Sequence, residues 1–241
     1  MDIKDMIATL DEFYKKEDVE GAGAFLENAL EKARAAGDEG LQITLLSELM
    51  GFYRRNQNAQ KAEEVCVLGI ELLEKTNSPD SVAKAAVWIN AATTLCSCRK
   101  NEKDILLFQK ARDIYQRLLR QNDPLWASFY NNYATALEVV GELDGAEENY
   151  LLAVEVAGRT RELCSLAVSY VNLARVASAK NDDKQCEKYI ELAFESLEKE
   201  RERGEKYAFA CRKCAEQMDA LGYFYYAARL NERADRIYER A

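Results

Sequence analysis

Three kinds of side chain could carry chemistry in this sequence: cysteines, carboxylates and a set of evenly spaced asparagines. There is no histidine in 241 residues, which removes His-based catalytic triads and imidazole metal sites. No G-x-x-x-x-G-K-[ST] phosphate loop occurs. Carboxylates are plentiful, but without such partners they form no recognisable catalytic constellation. The expectation is a protein that is not an enzyme and needs no cofactor or metal.

The seven cysteines (66, 96, 98, 164, 186, 211 and 214) are odd in number, which argues against a disulfide framework in a chain with no export signal. Cys211-x-x-Cys214 has the spacing of a redox or zinc half-site. Zinc would need two more ligands, and free cysteine often packs as a small apolar side chain. Packing is the reading adopted here for both.

Asn90, Asn132 and Asn172 are separated by 42 and 40 residues. Asparagine is a mediocre helix former, costing about 0.6 kcal/mol relative to alanine, so its recurrence at one spacing asks for a reason. A carboxamide can meet both the N–H and the C=O of an extended peptide backbone. The other reading is that these amides bridge adjacent repeats of the protein itself.

These residues sit in a helical framework. Two prolines and 11 glycines punctuate the chain, and Ala, Leu, Glu, Lys and Arg, the residues that lose least entropy in a helix, fill the intervals. An apolar content of 48% is enough for a core. The net charge of −9 would repel a polyanion, so nucleic acid is not expected as a partner. The segment MDIKDMIATLDEF has acids at 2, 5, 11 and 12 and no apolar run like that of a secretory signal. Nor does any stretch reach the ~18 to 20 apolar residues of a membrane span. The expectation is a cytoplasmic protein.

The clearest repeat runs over 126–157. Stripes Tyr130-Tyr133-Ala134-Leu137 and Ala146-Tyr150-Ala153 flank the turn residue Gly141, as in a helical hairpin. The small residue opening the second stripe recurs as Ala22, Ala62, Cys186 and Ala227, with Asp104 the one polar intruder, at steps of 40 to 42. Seven residues later stand Ala29, Gly69, Ala111, Ala153, Ala193 and Ala234. The first helices carry Ala92, Ala134, Ala174 and Ala215 at their own small site, with Leu10 and Met50 in the first two repeats. Small residues at constant register let helices approach closely. Asn122-Asp123-Pro124 and Ser78-Pro79 place a capping residue before a proline, as expected where a helix begins. The charged run 198–206 reads as a solvated connector.

The motif Tyr130, Tyr133-Ala134, Leu137, Gly141, Ala146, Tyr150 and Ala153 resembles the tetratricopeptide repeat (TPR). The longer step is similar to that of kinesin light chains and of peptide-sensing regulators of Gram-positive bacteria. The resemblance implies an all-α, right-handed α-solenoid of about six TPR-like hairpins in one domain, with repeats near 1–40, 41–79, 80–122, 123–162, 163–204 and 205–241. It implies a scaffold that holds an extended protein or peptide segment in its concave groove, through an asparagine ladder at Asn90, Asn132 and Asn172. A regulator sensing a small signalling peptide is the alternative. The first helices would line the groove with Glu48, Arg54 and Arg55 on one side, Asn131, Thr135, Glu138 and Arg175 centrally, and Arg212 and Lys213 at the far end. The paired Lys and Arg that read a peptide C-terminus in some members of the family are not reproduced, since Ala86, Ile89 and Thr93 stand at the matching sites.

Overall fold

One kind of turn recurs along the chain. In the computed structural model, six helix ends among the described residues pass through one left-handed residue, at Gly37, Gln57, Gly141, Arg161, Asn181 and Gly222 (φ +55° to +89°). After each, the next amide reaches back five residues, as in Asn58 N–H to Tyr53 O (2.9 Å) and Glu142 N–H to Leu137 O (2.9 Å). This Schellman closure satisfies otherwise orphaned carbonyls. At three of the six the residue after the turn then caps the next helix with its side chain: the carboxylates of Asp38 and Asp182 and the amide oxygen of Asn58 accept from the backbone N–H three residues on. Gly141 supplies the positive φ without strain, whereas Gln57 and Arg161 adopt it against the usual steric preference.

The structure describes residues 6, 8–10, 12–13, 16, 18–76, 79–99 and 105–239. Asp2, Asp5, Asp11, Ser78 and Asp104, named above from the sequence, lie outside them. Residues 8–10 and 12–13 are helical. Eleven helices follow among the described residues: α1 Val19–Ala35, α2 Glu39–Arg55, α3 Ala59–Lys75, α4 Val82–Arg99, α5 Leu107–Leu118, α6 Leu125–Val139, α7 Leu143–Thr160, α8 Leu163–Ala179, α9 Asp183–Lys199, α10 Glu205–Ala220 and α11 Phe224–Tyr238. No strand occurs among these residues. The fold is all-α, a sequence of TPR-like hairpins of the solenoid class.

The chain divides into two compact units, Met1–Ile114 and Tyr115–Ala241. The boundary falls inside α5 rather than between hairpins. In the N-terminal unit α2 packs on α3 and, one hairpin on, against α4. In the C-terminal unit the hairpins α6/α7, α8/α9 and α10/α11 stack so that first helix meets first helix, α6 on α8 and α8 on α10. Neighbour-to-neighbour packing of this kind is how a repeat buries the apolar face that one hairpin leaves open.

The small-residue register forms the core. Ala22, Ala62, Ala92, Ala111, Ala134, Ala146, Ala153, Ala174, Ala193, Ala215 and Ala234 are all fully buried. In the second hairpin the volume is redistributed. Met50 takes the alanine place on α2, Gly69 takes it on α3, and the Met50 methyl occupies the space a Gly69 Cβ would need.

Helix starts follow the sequence at one proline and depart from it at the other. Asp123 Oδ1 accepts from Leu125 N–H (3.0 Å) just ahead of α6, as the Asn-Asp-Pro sequence leads one to expect. Pro79, by contrast, lies three residues before the start of its helix and is not in the first turn. Ser81 caps α4 by accepting from Lys84 N–H (3.1 Å). Segment 199–206 is exposed except for a partly covered Glu200.

Candidate functional site

Numbering each first helix from its small residue (Met50, Ala92, Ala134, Ala174 and Ala215) shows what the repeat does with its polar positions. Two residues before the small residue lie Glu48, Asn90, Asn132, Asn172 and Lys213. Glu48 and Lys213 are exposed, Asn90 and Asn132 are half-buried, and Asn172 is buried at 5% exposure. The groove expected from the sequence would leave all three asparagines open to a ligand. For Asn172 the structure corrects this, because the stacked first helices close over it.

The bonds explain the difference. Asn172 Nδ2 donates to Asn131 Oδ1 (3.2 Å) on the preceding hairpin, and Asn131 Nδ2 donates to Ser169 Oγ (2.8 Å) and to Ala127 O (3.1 Å). In the N-terminal unit Asn90 makes the same backward reach, Nδ2 donating to Ser47 Oγ (2.9 Å). Each amide contacts the residue three before the small site of the hairpin ahead of it. Asn132 Nδ2 instead donates to Ser128 O of its own helix (2.9 Å). The Oδ1 atoms of Asn90, Asn132 and Asn172 take no bond from the described residues.

Thr135, Glu138 and Arg175 form one network in the C-terminal unit. Arg175 grips Glu138 with two bonds, Nε to Oε1 (2.6 Å) and Nη2 to Oε2 (2.7 Å), and donates from Nη1 to Gln217 Oε1 (2.8 Å). The Tyr150 hydroxyl, fully buried, lies 2.9 Å from Thr135 Oγ1 and 3.1 Å from both Glu138 Oε2 and Arg175 Nη2. Three successive first helices, α6, α8 and α10, are thereby tied together. Burial pushes the Tyr150 phenol well above its ordinary pKa. Burial by itself would lower that of Arg175, but Glu138 and the Tyr150 oxygen more than offset it and the net shift is upward.

The remaining residues are dispersed. Arg212 is exposed and pairs with Asp235 on α11, so it serves its own hairpin. Arg55 is exposed at the end of α2. Arg54 is half-buried and donates from Nη1 to Thr94 Oγ1 on α4 (2.8 Å). Cys211 and Cys214 are fully buried among the C-terminal helices, and desolvation pushes both thiols up. No group of three Cys, Asp or Glu among the described residues is placed to hold a metal ion. Sequence reasoning missed Tyr150 and Gln217 as partners of Glu138 and Arg175; the position four residues after the small site, shared by Glu138 and Arg54, is the signal that could have found the network.

No protein-family model matches the sequence, and no curated protein does. Solved structures do. The apo form of RapI superposes with a TM-score of 0.63 at 12% identity, covering 98% of each chain. TPR-like repeats of a kinesin light chain from Podosopora anserina match with a TM-score of 0.56 at 20% identity, over 81% of this chain and 94% of that one. PlcR of Bacillus thuringiensis, in complex with the peptide PapR7 and DNA, matches with a TM-score of 0.59 at 12% identity, over 94% of this chain and 73% of that one. No helix among the described residues is long and apolar enough to cross a membrane. At these identities the likeness concerns fold, and with the buried small-residue register and the hairpin stacking it makes this a TPR-like helical repeat protein.

Proposed function

We propose that this chain is a binding scaffold that holds an extended peptide segment on its first-helix faces, and that it acts by recognition, not catalysis. The observation that carries the reading is the state of Asn90 and Asn132. Each is half-buried, oriented by a bond from its own Nδ2, and left with an amide oxygen that no described residue uses. An acceptor held in place beside solvent can take a peptide N–H at small entropic cost. The exposed Glu48 and Lys213 at the same register position would add selectivity by charge. Asn172 belongs to the support of this face more than to its contact surface.

The alternative, a regulator that senses a small signalling peptide, is favoured by the likeness to RapI and to the peptide-bound PlcR. In that reading the peptide changes how hairpins stack, which requires different affinities for two arrangements. Selection from a phage-displayed random dodecapeptide library, followed by fluorescence anisotropy on the selected peptide, tests the common core of both. Asn132→Ala should weaken binding about tenfold, the equivalent of ~1.4 kcal/mol. A library that yields no binder, or a folded variant with unchanged affinity, would remove the asparagine face from the account.

A further inference from the structure

The contacts between consecutive hairpins of the C-terminal unit show which positions point at the hairpin that follows. On the first helix it is the residue three before the small site, since Asn131 bonds to Ser169 and Asn172 on α8. On the second helix it is the residue four after the small site, where the Tyr150 hydroxyl meets Arg175. The residue eight after that site does the same, for Phe194 packs edge-on against Tyr226 of α11 with ring centroids 5.0 Å apart. One hairpin on from Asn131 and Tyr150, these positions hold Val171 and Ile190, both fully buried.

In the last hairpin the same three positions hold Arg212, Asn231 and Asp235. Arg212 and Asp235 are about half-exposed and bonded to each other across the α10/α11 pair. One turn from them along the same strip stand Phe209 and Tyr238, 62% and 46% exposed. Their counterparts in the preceding hairpin are Val168, which packs against the core, and Leu197, which has no exposure at all. The stacking face of the last hairpin is thus open, and it carries two aromatic rings beside one cation and one anion. A repeat end meant for water alone has a polar outer face, and exposed rings are out of place on one.

We propose that a second copy of this chain docks here, hairpin α10/α11 on hairpin α10/α11, across a two-fold axis that lies in the face and runs between the two helices. Such an axis sets α10 of each copy over α11 of the other. Arg212 then meets Asp235 of the second copy and Phe209 meets Tyr238, each contact being made twice. The exposed pair becomes a closed network of four charges, which is worth more than an isolated surface pair. An isologous interface must be complementary to itself, and one cation beside one anion on two antiparallel helices meets that condition. The pair is neutral on a chain of net charge −9, so two copies can meet there with little repulsion. Helices of 16 and 15 residues present about 24 Å by 20 Å, roughly 480 Å² in projection, less than the ~800 Å² per partner of a standard interface. The dimer is therefore weak, with a dissociation constant of about 10 to 100 μM. It does not rest on the peptide-binding reading.

Sedimentation equilibrium of the chain over concentrations spanning that constant tests the proposal, with circular dichroism melts to certify the fold of each variant. Arg212→Glu and Asp235→Arg each set like charges against one another at both contacts, so either variant alone should associate at least about tenfold more weakly than the wild type. An equimolar mixture of the two restores opposite charges at both contacts and should recover association. The double variant Arg212→Glu/Asp235→Arg should recover it as well. Phe209→Ser, at a site largely open in the single copy, disrupts the face without touching its charges and should also lose about tenfold. If a charge variant fails to fold, Phe209→Ser and the double variant decide the matter. A chain that stays monomeric throughout would overturn the proposal, as would a Phe209→Ser variant that associates like the wild type. A mixture no better than its two components, or a double variant that does not recover, would overturn it too.

Discussion

Replacing Glu138 by alanine should be among the more damaging single changes in the C-terminal unit. The carboxylate accepts two bonds from Arg175, at 2.6 and 2.7 Å, and one from the Tyr150 hydroxyl at 3.1 Å. Its side chain is 16% exposed and that of Arg175 29%. Removing one partner of a fully buried pair costs about 3 to 5 kcal/mol, and removing one from an exposed pair less than ~1. The residual exposure places this pair between those limits, at about 2 to 3 kcal/mol. Most of that is the cost of a cation left with only Gln217 and Tyr150 as partners. The double variant Glu138→Leu/Arg175→Met leaves no charge stranded, so it should lose less than Glu138→Ala does alone. Asp144→Ala, which breaks the exposed pair with Lys180, should change nothing measurable. Urea unfolding followed by circular dichroism gives each free energy, with an unchanged slope certifying that the comparison is sound. A Glu138→Ala variant as stable as Asp144→Ala, or a double variant that loses more than Glu138→Ala does alone, would refute the reasoning.

Two further outcomes follow from the same structure. Asn172→Ala should cost about 1 to 2 kcal/mol of stability, because it strands the Asn131 oxygen in a closed interface, and urea unfolding of that variant checks it. Arg233 donates to Glu198 and holds its carboxyl below the ordinary value of 4.5. A depressed folded pKa contributes stability above the ordinary value that is lost as pH falls through the folded one. Glu198→Gln should therefore melt below the wild type at pH 7, and the two melting curves should converge as the pH is lowered past that range.

The register of small residues was legible in the sequence because stacking hairpins impose a hard steric limit at fixed places, and alanine or glycine satisfies it whatever the neighbours are. Ala92, Ala134, Ala174 and Ala215 needed no coordinates to be assigned to the core. Turn positions were partly legible. Gly141 announces a positive φ, but Gln57 and Arg161 adopt the same conformation with side chains that do not advertise it. Likewise Pro79 marked a helix start three residues early, because a proline reports a permitted position and the cap is chosen by which hydroxyl reaches the free N–H, here Ser81. The polar positions were the least legible. Asn90, Asn132 and Asn172 share a register and a residue type, yet two of them reach back to Ser47 and Asn131 while the third turns to its own helix. Arg54 and Glu138 share a register with opposite charges, and among the described residues only Glu138 bonds to an opposite charge. The sequence by itself determined where helices pair, since that depends on local pattern and volume. Tertiary structure alone decided which polar groups are spent on holding hairpins together and which remain available, because a hydrogen bond between repeats depends on two residues about 40 positions apart.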